Sequence, residues 1–161
     1  MTTEEYNSCV EHYADGLYRF ILKNMRDEEE ARDVVQDTFE KLWIKREEVQ
    51  GSKSKSYLFT TGYHTMIDRI RRLKKQESMA DGEFENHHHS NHYSDLKIIL
   101  NEAVDRLPDI QKQVVLLRDY EGYNYEEIGE ITGLNESQVK VYIYRARVAL
   151  KNYIGSLERV I

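Results

Sequence analysis

YEEIGEITGLNESQVKVYIYRARVAL, residues 125–150, decides the reading of this chain. A short helix places Ile128 and Ile131 inward. Gly133 tolerates the positive φ of a tight turn, and Leu134 plugs the corner behind it. Asn135, Glu136 and Ser137 can start a second helix by capping. In that helix Val139, Ile143, Ala146, Leu150 and Tyr153 recur at spacings of 4, 3, 4 and 3, which is one helical face and therefore core. The opposite face holds Ser137, Val141, Tyr144 and Val148, flanked by Lys140, Arg145 and Lys151. A face of aromatic, β-branched and cationic residues, free of acids after Glu136, suits the DNA major groove. An ordinary helical hairpin with a basic surface is the alternative that this stretch alone leaves open.

Outward from it, the chain reads as all-α, with two helical lobes and a linker. There is one proline, Pro108, and no strand-like alternation bounded by turns. The second lobe predicts helices over about residues 95–106, 109–120, 125–132 and 136–153. Pro108 stands at a helix start, where its missing N–H costs nothing, and Gly122 and Gly133 mark turns. The first lobe predicts helices over about residues 4–25, 27–46 and 56–75. Asp27 caps the second, with Glu28, Glu29 and Glu30 favourable in its first turn. Its stripe Ala31, Val34, Val35, Thr38, Phe39, Leu42 and Trp43 is expected inside. In the third, Phe59, Tyr63, Met66, Ile70 and Leu73 face the core, and Thr60, His64, Asp68, Arg71 and Lys75 face outward. Residues 77–94 lack a helical period and are rich in His, Asn and Ser, as a flexible linker would be. The domains are thus 1–76, the linker 77–94, and 95–161.

The chain has 161 residues, 40% of them apolar and 32% charged, which is globular composition. No apolar run approaches the roughly 18 residues of a membrane span, so membrane insertion is not expected. A start in Thr2, Thr3, Glu4 and Glu5 is unlike a secretory signal, and one cysteine cannot form an internal disulfide. A cytoplasmic setting fits. The net charge of −6 looks wrong for a DNA binder, but it is segregated. Residues 51–75 carry a net +6 and residues 137–161 a net +4, against −6 over 1–50 and −10 over 76–136. Fields are screened within about 8–10 Å, so two basic patches on an acidic body still attract phosphate locally.

Three segments carry a family resemblance. LPDIQKQVVLLRDYEGYNYEEIGEITGLNESQVKVYIYRARVAL, residues 107–150, resembles region four of the extracytoplasmic-function (ECF) sigma factors. RDEEEARDVVQDTFEKLWIKR, residues 26–46, and SYLFTTGYHTMIDRIRRLKK, residues 56–75, resemble region two of the same sigma-70 family. The resemblance implies a specificity subunit of bacterial RNA polymerase, without catalysis, cofactor or bound metal. It implies docking of region two on the clamp of the largest subunit through Asp33, Gln36 and Asp37. It implies that region two melts the minus-ten element, with His64 and Asp68 on the non-template strand. Arg69, Arg71, Arg72, Lys74 and Lys75 would hold phosphates, and the loop 49–55 would capture a flipped base. Region four would bind the flap of the second-largest subunit and the minus-thirty-five element. There Ser137, Lys140, Val141 and Tyr144 fall on the recognition helix, the last three at base-reading positions. Arg118, Tyr125 and Arg145 match backbone contacts. An anti-sigma factor is the further partner implied.

The sequence departs from the family at His64, where asparagine is usual, and at Val141 and Tyr142, where Ser then Arg are common. Val141 offers only apolar contact, such as to a thymine methyl. His87, His88, His89 and His92 read as solvated linker residues rather than metal ligands, and Cys9 as a small packing residue. The rival functions are a helix-turn-helix regulator acting without polymerase and a sigma mimic that sequesters an inhibitor. A metal-dependent enzyme built on the His run is the weakest. The mimic is expected to lack the basic DNA-facing residues, which are present here.

Overall fold

The computed structural model describes residues 1–79 and 95–158, so the His run and residues 80–94 of the proposed linker fall outside the described residues, while residues 77–79, expected in that linker, are helical. The chain divides into two compact units, within residues 1–87 and 88–161, and each is built of helices alone among the described residues.

Unit one is three helices. α1 spans Thr3–Met25. Thr2 caps it by accepting from the Glu5 N–H, with Glu4 and Glu5 favourable in the first turn. It stops at Arg26, which takes the left-handed conformation (φ 60°) and donates its N–H to Leu22 O at 2.7 Å. Asp27 follows at once as the cap of α2, Glu28–Ile44, accepting from Glu30 N at 3.1 Å. A 3₁₀ turn at Gly51–Lys53 leads into α3, Ser54–Met79. The core is Leu17, Phe20 and Ile21 from α1, Val34, Thr38 and Leu42 from α2, and Leu58, Phe59, Tyr63 and Met66 from α3. Thr38 is admitted because its hydroxyl donates to Val34 O at 2.6 Å. Cys9 is buried in this lobe, and burial pushes its thiol up from the usual range.

Five expectations shift here, one of them Val35, expected inside and found half-buried. α3 runs past Lys75 to Met79, since Gln76, Glu77 and Ser78 do not interrupt a helix. Its core also takes in Leu58 and Thr65, which the expected stripe left out. Trp43 is not inside: it is 37% exposed. Near the end of α2 its indole meets Tyr6 edge-on at 4.9 Å, and the Arg46 guanidinium lies over it at 3.8 Å. Ile70 and Leu73, expected in the stripe, are half-buried.

Unit two begins with α4, Asp95–Asp105, and α5, Asp109–Val115. α5 then widens into a π-helical turn, Leu116–Tyr120. α6, Tyr125–Thr132, starts with a reciprocal capping box: Glu127 N donates to Asn124 Oδ1 at 2.8 Å and Asn124 N to Glu127 Oε1 at 3.2 Å. α7, Glu136–Glu158, repeats the device with Asn135 and Gln138 at 2.8 and 3.0 Å. Val114–Leu117, Tyr123, Ile128, Ile131, Val139, Ile143 and Ala146 are buried together. Lys112 is buried as well, paired with Asp105 at 3.3 Å.

Two glycines set the turn between α6 and α7. Gly133 ends α6 at φ 80°, donating to Gly129 O at 2.9 Å. A Cβ on Gly129 would come within 2.8 Å of the Leu134 carbonyl oxygen. Gly133→Ala is expected to cost about 1 kcal/mol through left-handed strain. A urea midpoint unchanged by that substitution would show that the turn can relax.

Candidate nucleic-acid interface

α7 divides into the two faces that its spacing implied. Val139, Ile143 and Ala146 are buried, and Leu150 and Tyr153 are half-buried. On the other side Ser137, Lys140, Val141, Tyr144, Arg145, Val148 and Lys151 are all exposed, Tyr144 at 69%. An exposed tyrosine beside exposed valines on a helix walled by cations is a surface that awaits a partner.

Tyr125, the first residue of α6, collects the cations at one flank of that face. The Arg118 guanidinium lies 5.0 Å from its ring centroid and the Lys140 ammonium 5.8 Å. Arg118 also donates from Nη1 to Tyr123 O at 2.9 Å, which anchors it in the π turn. Lys140 is 3.4 Å from Glu136. Beside them Arg147 grips Asp119 in a fork, Nη2 to Oδ1 at 2.6 Å and Nε to Oδ2 at 3.3 Å. The Asp119 carboxylate holds Arg147 above its usual range, against a smaller opposing push from burial. The structure therefore brings Arg118, Tyr125 and Lys140 together, while Arg145, Val141 and Tyr144 are exposed on α7. Arg147 escaped the sequence reading. Its signal was its place beside buried Ala146, but its partner lies 28 residues away.

In unit one His64, Asp68, Arg71, Arg72, Lys74 and Lys75 are exposed on α3. Arg69 is not among them. Its guanidinium turns onto α2, with Nη1 3.0 Å from Glu30 Oε2 and Nη2 3.2 Å from Asp37 Oδ2. Of the three residues expected to dock a partner, Asp33 and Gln36 are exposed. Asp37 is half-buried and shares its carboxylate with Arg69. Gln36 lines an open groove of about 780 Å³ between α1 and α2, with Tyr6, Asn7, Glu11, Phe39 and Trp43. A second hollow of about 510 Å³ lies beside the loop expected to receive a base, lined by Glu5, Ser8, Cys9, His12, Gly51 and Ser52. Among the described residues there is no cluster of His, Cys, Asp and Glu that could hold a metal, and no helix long and apolar enough to cross a membrane.

The family model for Sigma-70 region 2 matches residues 9–76, and that for Sigma-70, region 4 matches residues 97–150. The chain is 34% identical over 142 residues to the RNA polymerase sigma factor SigV of Bacillus subtilis, covering 86% of this chain and 84% of that protein. It is 31% identical over 156 residues to the ECF RNA polymerase sigma factor SigM of the same organism, covering 94% of each. Among solved structures, the sigma factor RpoE of Bartonella quintana, crystallised with the anti-sigma factor NepR, superposes with a TM-score of 0.83. It is 25% identical and covers 95% of this chain and 98% of that one. Two helical units with these motifs in this order, a helix-turn-helix in the second and relatives spanning nearly the whole length leave one assignment: the chain belongs to the ECF RNA polymerase sigma factors of the sigma-70 family.

Proposed function

We propose that unit one attaches the chain to the clamp of core RNA polymerase through Asp33 and Gln36, and that unit two positions promoter DNA on α7. The observation that carries the reading is the exposed face of α7, with its cations gathered at Tyr125. His64, Asp68, Arg71, Arg72 and Lys75 meet the minus-ten element, the cations on its phosphates. Arg118, Tyr125 and Lys140 hold phosphates of the minus-thirty-five element on one flank of α7 and Arg145 on the other, while Val141 and Tyr144 face bases. Lys140, which the resemblance puts at a base, serves a phosphate because its ammonium lies on the Tyr125 side beside Arg118. Arg69 leaves the phosphate set for the interior. Catalysis belongs to the polymerase, which sets the chain in the cytoplasm. Contact with the flap completes the attachment. An anti-sigma factor, such as the one bound to the Bartonella relative, would hold this chain inactive.

The deciding experiment is run-off transcription by core polymerase plus this chain on genomic fragments, with the start sites sequenced. Discrete starts sharing two upstream elements are expected, and starts indistinguishable from core enzyme alone would refute the proposal. Arg118→Ala should weaken all promoter sequences alike and flatten the salt dependence of holoenzyme binding by about one unit of slope. An unchanged slope would remove Arg118 from the phosphate set.

A further inference from the structure

The outward face of α7 has an apolar centre. At about 100° per residue, Val141, Tyr144 and Val148 fall within about 60° of one another, and they are 43, 69 and 39% exposed. Lys140 and Arg147 lie on one flank of this row and Arg145 on the other. That is the charge distribution a helix needs in a groove walled by two phosphate strands, with the bases at its floor. The cations on the Lys140 flank have partners at the side. Lys140 and Arg118 lie over Tyr125, and Arg147 is forked onto Asp119. In the first two turns, what projects between the flanks is Ser137, then Val141 and the ring of Tyr144, whose hydroxyl is its one polar side-chain atom.

We infer that Val141 and Tyr144 read thymine C5-methyl groups. One or two positions of the minus-thirty-five element are then specified by methyl contact rather than by hydrogen bonds to base edges. This rests on α7 being the helix that enters the groove. Thymine is the base that presents a methyl in the major groove, where cytosine presents an N4 amino donor. Each pyrimidine also shows one polar group there, O4 on thymine and N4 on cytosine, so the methyl is the feature that an apolar side chain can tell apart. Val148, further along α7, lies beyond the turns that reach deepest and is not needed.

The test starts from a promoter mapped by transcription with the holoenzyme. Each thymine of its minus-thirty-five element, on both strands, is replaced singly by deoxyuridine, which removes the methyl and keeps every hydrogen-bonding group. Holoenzyme binding is expected to weaken about fourfold at one or two of these positions, the worth of one buried methyl, and to hold elsewhere. Val141→Ala or Tyr144→Ala should weaken the natural duplex by a similar factor. Each should also abolish the further loss at its own thymine. Both side chains are exposed and alanine favours a helix, and helicity of the variants checks that the unit is folded. The inference is overturned if every deoxyuridine duplex binds like its parent, if the losses persist in full on both variants, or if the element holds no thymine. Arg118→Ala separates the two levels. If it weakens all duplexes while deoxyuridine does nothing, α7 still faces the groove and methyl reading is wrong. If neither change has an effect, the placement of α7 on DNA falls with it.

Discussion

Replacing Asp33 and Gln36 together by arginine is expected to abolish co-purification with core polymerase while leaving the free chain as helical as before. Both side chains are exposed, one turn apart on α2. Gln36 borders the groove between α1 and α2, and Asp33 lies one turn before it on the same helix. If the partner surface is basic, charge reversal at Asp33 replaces attraction by repulsion, and a second arginine at Gln36 adds to it. The total is several kcal/mol, enough to empty a micromolar complex. Arginine is a better helix former than aspartate, so α2 should not suffer. Circular dichroism and a melting curve verify that. Asp37→Arg is the wrong partner for this experiment, because it would set two guanidinium groups against each other across α2 and α3. Arg145→Ala serves as the contrast: it should assemble with core enzyme normally and lose promoter binding. Normal recovery of the Asp33→Arg, Gln36→Arg chain with core polymerase would remove α2 from the docking surface.

What the sequence made legible is what is decided within a turn or two of the chain. The caps at Asp27 and Asn135 are side chain to backbone contacts over three residues, so the starts of α2 and α7 could be read directly; the cap at Asn124 is just as local but went unread. The 4, 3, 4 spacing of Val139, Ile143, Ala146 and Leu150 fixed which side of α7 is core, and with it the candidate groove face. A helical period gives direction, however, and not coverage. Trp43 belongs to the stripe by spacing, yet it ends 37% exposed, edge-on to Tyr6 of α1 and with Arg46 over its ring. The departure into a π turn at Leu116–Tyr120 breaks no spacing rule and left no trace. Long-range ion pairs were the least legible feature. Arg147 and Asp119 are 28 residues apart, and Arg69 finds its carboxylates 39 and 32 residues upstream. In sequence Arg69 is one of a run of cations, indistinguishable from Arg71 or Arg72.

That difference predicts two kinds of behaviour within one basic segment. Arg69→Met is expected to destabilise unit one by about 2 kcal/mol and to leave the salt dependence of promoter binding unchanged. The side chain is 23% exposed and holds Glu30 at 25% and Asp37 at 46% exposure. A fully buried pair broken on one side costs about 3–5 kcal/mol and a surface pair about 0–1. Partial solvent access puts this site between them. Methionine fills similar space, so the loss is chiefly electrostatic: two carboxylates on α2 are left without their counter-charge. Arg72→Ala and Lys75→Ala, on the exposed row, should do the opposite. They should leave the urea midpoint within about 0.5 kcal/mol and each lower the salt slope by about one unit. Adding Asp37→Asn to Arg69→Met should recover part of the lost stability, because Glu30 then loses one like-charged neighbour. The measured effects should therefore fail to add by about 1 kcal/mol. The critical comparison is urea unfolding of these four variants and of Asp37→Asn alone, beside holoenzyme binding across several salt concentrations. An Arg69→Met chain with an unmoved midpoint and a flatter salt slope would return Arg69 to the phosphate-binding row. The contact with Glu30 and Asp37 would then be a resting position of a DNA-binding side chain, not a strut between α2 and α3.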